Sequence, residues 1–162
     1  MGRPVGRASY PGAMLEARRV SLWSGRYELV ADGRPFALWD GRVRGSGGVF
    51  DLEGRRYQVR SNLWGSHFEL VDQVGMVAAV AERPGRMRWT VQAGGRAYGF
   101  QRESWWRSAE LLVADGRTVG SVRPVGGLKG GAVADLPGLP LPLQVFVVVV
   151  VVTTWNAAAA SS

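Results

Sequence analysis

"LPLQVFVVVVVVTTWNAAAASS", Leu141 to Ser162, decides the fold. Six valines run from Val147 to Val152, and no charge follows Asp135, so the 27 residues from 136 to 162 are neutral. Three structures fit such a segment. A membrane span needs ~20 predominantly apolar residues. The unbroken apolar run, Val145 to Val152, has eight, and only by stretching from Leu139 to Ala160 does it reach 22. A β-strand suits valine, but this one would need burial on both faces, and antiparallel meanders leave one face wet. A helix that is apolar all round belongs in a membrane or inside a protein. Pro142 fits the first turn of a helix, where its missing N–H costs nothing. A helix over about 142–158 follows. Valine costs a few tenths of a kcal/mol per helical residue, whereas burying each side chain returns on the order of 1.5 kcal/mol.

Upstream the sequence supplies a wall for that helix. Gly-Arg after a small or acidic residue recurs in "ADGR" (31–34), "WDGR" (39–42), "LEGR" (52–55), "AGGR" (93–96) and "ADGR" (114–117). Asp-Gly and Gly-Gly supply the positive φ angles of tight hairpins. The flanks alternate: in "MRWTVQA", Met87, Trp89, Val91 and Ala93 face one way, and in "RRYQVR" Tyr57 and Val59 oppose Arg56, Gln58 and Arg60. Period two marks a sheet with one buried face. The pattern predicts strands near 20–24, 26–31, 34–39, 49–53, 55–61, 67–72, 76–82, 86–93, 96–102, 108–114, 117–123 and 131–135. Longer loops fall at 42–48, 61–66, 103–108 and 125–131. "ELVADGR" (28–34) is echoed by "ELLVADGR" (110–117), as expected of hairpins with shared turn chemistry. The fold class is therefore mainly β: a closed or nearly closed antiparallel barrel of about 10–12 short strands around a hydrophobic C-terminal helix. Residues 1–14 read as a flexible arm and 15–162 as one domain.

Composition narrows function more than it identifies it. A chain of 162 residues buries ~70% of its unfolded surface and needs no staple. Without cysteine there are no disulfides, zinc thiolates or thiol nucleophiles. A single histidine, His67, excludes multi-histidine metal sites; adjacent on a strand, Ser66 and His67 point apart and make no nucleophile–base pair. No metal, cofactor or catalytic constellation is expected. The net charge of +7, with Lys129 the only lysine among 20 basic residues, favours anionic partners. The N-terminal stretch has no secretory h-region and fails the myristoylation pattern; the expected location is the cytoplasm, with a peripheral place at a membrane as the further expectation.

Candidate sites are few. Arg42, Arg44, Arg55, Arg56 and Arg60 concentrate basic charge that could hold an anion, because guanidinium forks suit phosphate. "GGLKGG" (126–131) lacks the Gly-Lys-Ser/Thr of a phosphate loop and reads as a linker. Trp105 and Trp106 sit among charges in "ESWWR"; exposed, they would stack bases or lie at a lipid interface, although one ring inward and one partly covered is the plainer expectation. Trp23, Trp39, Trp64 and Trp89 are assigned to the core.

The paired strands "RYELVADGRPFALW", "VFDLEGRRYQVRS", "FELVDQVGMVAAVAE" and "RWTVQAGGRAYGFQRE", the echo "SAELLVADGRTVGSV" and the closing "LPLQVFVVVVVVTTW" resemble the tubby C-terminal-like superfamily, in particular its branch of LURP-one-related proteins and phospholipid scramblases. The resemblance covers roughly residues 20–160 and implies a closed barrel around a C-terminal helix. It also implies association with membranes: tubby-like domains bind phosphoinositides through a basic patch, and scramblases act at membranes. No phosphoinositide motif matches residue by residue, and palmitoylation is impossible without cysteine. The expected function is thus a non-enzymatic barrel module that binds anionic lipid head groups, or a protein partner at a membrane surface. A tail-anchored protein with 142–160 as the span, and a single-stranded nucleic-acid binder, are the alternatives.

Overall fold

The computed structural model describes residues 14–21, 24–41, 46–126 and 130–161. Twelve strands follow one another: β1 (Leu15–Arg19), β2 (Arg26–Ala31), β3 (Arg34–Asp40), β4 (Ser46–Leu52), β5 (Arg55–Ser61), β6 (His67–Val71), β7 (Val77–Glu82), β8 (Arg88–Ala93), β9 (Arg96–Arg102), β10 (Glu110–Ala114), β11 (Arg117–Pro124) and β12 (Gly131–Asp135). Each pairs antiparallel with its chain neighbours, and β1 pairs with β12, so the sheet closes into a barrel with no free edge. Helix α1 (Leu141–Ser161) enters beside the end of β12 and runs up the axis.

The two ends of the barrel differ because the sequence punctuates them differently. Four connections between even and odd strands are two-residue turns with positive φ at both positions: Asp32–Gly33 (51°, 76°), Glu53–Gly54 (52°, 77°), Gly94–Gly95 (57°, 76°) and Asp115–Gly116 (51°, 73°). Positive φ at both central residues matches the twist of adjoining strands. These turns gather at the end where the helix enters. The connections that leave odd strands, including 62–66, 83–87 and 103–109, lie where it exits. "WDGR" departs from the pattern: Asp40 is the last residue of β3, in register with Arg26 and Val49, and not a turn residue.

Inside, the helix needs no polar face. Leu143 to Val152 are all buried, with Val145 to Val150 fully so. Gln144 satisfies its amide by donating to the Leu139 carbonyl at 2.8 Å. The helix backbone comes nearest β4 and β12, where the wall is made of Gly47, Ala132 and Ala134. A Cβ on Gly47 would stand 2.8 Å from Val59 Cγ1 and 3.3 Å from Val149 Cγ1. Where the helix stands further off, stacked rings fill the gap: Tyr27 on Trp39 (4.4 Å between centroids), Phe50 on Tyr57 (5.2 Å) and Trp89 on Phe100 (4.5 Å).

Several sequence expectations move. The strand expected at 20–24 is instead β1 at Leu15–Arg19; Leu15 and Ala17 turn inward, while Val20 is half exposed. The loop expected over 42–48 gives up its last residues to β4. Glycine is required there, since a Cβ on Gly48 would overlap the Asp40 carbonyl oxygen and crowd Trp39 Nε1 at 2.6 Å. Residues 42–45 lie outside the described part, as do Trp23, Lys129 and all but Met14 of the arm expected over 1–14. By length and composition α1 could cross a membrane. Its ten residues from Leu143 to Val152 are nevertheless buried inside the barrel.

The echo between "ELVADGR" and "ELLVADGR" also resolves. Both strands shift register just before the turn, at Leu29/Val30 and at Leu112/Val113. Counted back from the Asp-Gly turn, the extra leucine puts Glu110 where β2 has Tyr27. Glu110 consequently faces inward and is buried, whereas Glu28 lies on the outer face.

Candidate functional site

The arginines singled out from the sequence do not converge. Arg55 and Arg56 flank the 53–54 turn at the helix-entry end, and Arg56 forms a two-pronged pair with Asp51 at 3.0 and 3.1 Å. Arg60 lies further along β5 toward the other end, exposed and in register with Glu69. Arg42 and Arg44 lie outside the described residues.

A different constellation assembles at the helix-exit end from three adjacent connections. In 62–66, Asn62 organises the turn: its Oδ1 accepts from the backbone N–H of Ser66 (2.9 Å) and of His67 (3.3 Å), and its Nδ2 donates to Ser66 Oγ (2.8 Å). With its backbone tied inward, the turn projects Leu63 (93% exposed) and Trp64 (84%). The core assignment of Trp64 is corrected here: Asn62 holds it at a loop tip, away from the strands that bury Trp39 and Trp89. The Arg83 backbone N–H donates to the Ser66 carbonyl at 2.8 Å, joining this turn to 83–87. Arg83 itself adopts φ 61°, uncommon for a residue with a Cβ, and Gly85 follows at 93°. Neither Arg83 nor Arg86 has a carboxylate partner among the described residues.

The third connection, 103–109, is pinned from both sides. Glu103 pairs with Arg123 (3.1 Å) and Arg107 (3.7 Å), and Trp155 on the helix donates its indole N–H to the Ser108 carbonyl (2.9 Å). Trp105 (78% exposed) and Trp106 (82%) stand out from it. Both rings are exposed, so the expectation of one ring inward fails: the inward positions nearby are already taken by Trp89, Arg102 and Glu110. Between 62–66, 83–86 and Thr153, Thr154 and Ser161 of the helix lies a polar hollow of about 1000 Å³. The rim thus alternates aromatic tip, basic loop, aromatic tip.

Two titratable groups brace it. His67 presents Nδ1 to Glu82 (2.6 Å) and Nε2 to Glu69 (3.3 Å). Hydrogen bonding to Glu69 first, and the bond and charge of Glu82 with it, raises its pKa above the ordinary histidine value, against the opposing effect of partial burial. With both nitrogens engaged by carboxylates, His67 is a cross-strand tie and not a base for Ser66. Glu110 is buried, accepts from the Trp89 indole N–H at 2.8 Å and faces Arg102 at 3.8 Å. Burial pushes its pKa up, and the Trp89 bond and Arg102 partly oppose this. Among the described residues no three carboxylate or imidazole groups could hold a metal ion.

Sequence reasoning placed Trp105 and Trp106 among charges but passed over Leu63, Trp64, Arg83 and Arg86. The local signal was one glycine in each connection, Gly65 after Trp64 and Gly85 between Pro84 and Arg86, which marks a turn.

No protein-family profile matches the chain, and no curated protein matches it. Among solved structures, an X-ray structure of a protein from Arabidopsis thaliana aligns over 93% of this chain and 97% of its own, with 14% identity and a TM-score of 0.39. A likeness that weak carries no argument for fold or activity.

Proposed function

We propose that the chain is a non-enzymatic module that docks on anionic phospholipid surfaces through the helix-exit rim. The observation that carries this reading is the pair of loops tipped by Leu63–Trp64 and Trp105–Trp106 on either side of Arg83 and Arg86. Large apolar side chains left this exposed on a monomer mark a surface that meets something apolar. Tryptophan suits the headgroup boundary, where one edge of the ring is wet and the other dry. Unpaired arginines between the tips would meet phosphate, each basic residue near an anionic surface contributing ~1 kcal/mol. The closed wall and the cross-tied loops supply rigidity, so little ordering entropy is lost on docking. The resemblance to the tubby C-terminal-like superfamily supports the same reading.

Vesicle sedimentation tests it. Binding should be stronger to phosphatidylcholine vesicles containing phosphatidylserine than to neutral ones, and should weaken with salt. Leu63→Ser with Trp64→Ser, and Trp105→Ser with Trp106→Ser, should each reduce it; Arg83→Gln with Arg86→Gln should abolish the preference for acidic lipid. Equal binding to neutral and acidic vesicles at low salt, or rim variants that bind as well as the parent, would refute the proposal. Tight salt-dependent binding of single-stranded DNA by the same tryptophans would replace it with nucleic-acid binding.

A further inference from the structure

A second cavity, of about 440 Å³, lies at the opposite end between the first turn of the helix and the inner face of the wall from β5 to β9. Its lining is mainly apolar: Leu70, Ala79 and Ala93 on the wall, Pro140, Pro142 and Leu143 on the helix side. The wall carries alanines at this level, Ala79 opposite Leu70 and Ala93 opposite Arg96, while the bulkier Phe68, Trp89 and Phe100 lie further along their strands toward the other end.

Two polar groups on this cavity lack what similar groups elsewhere in the barrel have. The first is Tyr57. Its residue is only 7% exposed and its ring stacks on Phe50, yet its hydroxyl has no hydrogen-bond partner among the described residues. Other inward polar tips are served: Tyr27 by Arg19 and Asn156, Trp39 by the Gly47 carbonyl, Trp89 by Glu110. No fully sealed side-chain oxygen or nitrogen among the described residues goes unpartnered, so the Tyr57 hydroxyl keeps some access to solvent, and Tyr57 lines this cavity. The second is Arg96, on the same lining. Its guanidinium lies 6.0 Å from the centre of the Tyr98 ring, with no carboxylate partner among the described residues. The first turn of the helix, which also borders the cavity, carries no acidic residue, so nothing there neutralises Arg96 or the positive end of the helix.

An apolar chamber of this size, with a mostly buried tyrosine on its wall and an exposed arginine without a carboxylate partner among the described residues at its edge, has the make-up of a small-molecule site. We propose that it binds a small amphipathic carboxylate, whose apolar body fills the space beside Ala79 and Ala93 and whose carboxylate accepts from Arg96 and the Tyr57 hydroxyl. The charge complement selects the class: a neutral ligand would leave Arg96 unused, and a polyanion would find only one arginine in an otherwise apolar lining. The site is separate from the rim and does not rest on it.

Decanoate, well below its micelle concentration, provides the test by isothermal titration against the full chain, with 1-decanol as the neutral counterpart. The expected result is one saturable site, with decanoate preferred. Arg96→Gln, a surface change, should weaken decanoate by roughly tenfold, the loss of one charge-assisted pair, and leave decanol unchanged. Tyr57→Phe keeps the ring and should weaken decanoate several-fold. Ala79→Leu fills the chamber and should block both ligands; if it fails to fold, Ala93→Leu near the mouth serves. Amide shifts on titration should gather at 79, 93, 96 and 143. Absence of saturable decanoate binding, undiminished binding by Arg96→Gln, or shifts gathered at 62–66 and 103–109 would each overturn the proposal. Arg96→Gln should sediment with acidic vesicles as the parent does, which separates failure here from failure of the rim reading.

Discussion

Replacing Val149 by aspartate tests the enclosed helix most severely. Val149 is fully buried midway along the helix, 3.3 Å from where a Gly47 Cβ would sit, so no water can follow the carboxylate in. Three costs accumulate. Losing valine burial costs about 1.5 kcal/mol. Keeping the carboxyl neutral at pH 7 requires a pKa some three units above 3.9, or about 4 kcal/mol. A neutral carboxyl without a partner adds about 1–3 kcal/mol. The total, about 6.5–8.5 kcal/mol, falls within the whole stability of a typical domain, ~5–15 kcal/mol. Val149→Asp should therefore be largely unfolded at pH 7. The sign of its pH dependence is fixed as well. The native pKa lies above the unfolded one, so the second cost is absent below about pH 3.9 and grows as pH rises. Relative to the parent, the variant should recover about 4 kcal/mol between pH 7 and pH 3.5. Guanidinium denaturation followed by circular dichroism at both pH values measures this, with exposed Ala160→Asp as the control, expected within about 1 kcal/mol of the parent. A Val149→Asp protein that melts cooperatively within a few degrees of the parent at pH 7 would show that the helix does not form the core.

Other consequences are independent of that one. The His67 pKa is raised by Glu69 and Glu82, so its contribution to stability is complete below the unfolded value of about 6.5 and is lost as pH rises through the folded value; an NMR titration of the ring should give a folded pKa above that of a model peptide, and a lower value would contradict the two-carboxylate tie. For Glu110 the raised pKa means that stability is lost as pH rises from the unfolded value of about 4.3 through the folded one. Glu110→Gln, which still accepts from Trp89, should remove that slope, whereas Glu110→Ala should cost about 1–3 kcal/mol by stranding the indole N–H; equal stability of the two variants would remove the argument. Gly54→Ala, with open space around it but φ 77°, should cost about 1 kcal/mol. Gly48→Ala, which collides with the Asp40 carbonyl, should fail to give a stable barrel, and comparable melting temperatures for the two would show that the close approach is not rigid.

How far the sequence reaches depends on how local the decisive interaction is. Strands over 55–61 and 96–102 fall where alternation and the Glu53-Gly54 and Gly94-Gly95 turns place them, because both signals act within a few residues. The helix starts one residue before the expected 142, and Pro142 lies in its first turn as its chemistry requires. β1 escapes the pattern because its inward residues are only Leu15 and Ala17, a weaker signal than the Val20, Leu22 and Trp23 just beyond. The small side chains suit the side of the wall that the helix approaches, and no local propensity announces that. Gly47 and Gly48 read as loop for the same reason: their meaning depends on Val149 and Asp40. The rim was harder still. Trp64 and Trp39 look alike in sequence, and what separates them is whether Asn62 or a paired strand holds the backbone.

The order of elements along the chain has a consequence for how the molecule is made. Synthesis delivers all twelve strands before the segment they surround, so a nascent chain holds a complete wall with nothing to wrap. Until Val152 has emerged, β1 and β12 can meet only around a void that the closed form cannot keep empty, and their pairing spans nearly the whole chain, the slowest kind of contact to form. The apolar wall faces wait meanwhile for their axis. Any early stop before Val152 therefore yields a sheet with exposed inner faces and two open edges, a species suited to aggregation, and assembly of the native barrel belongs to the period after the helix has been synthesised.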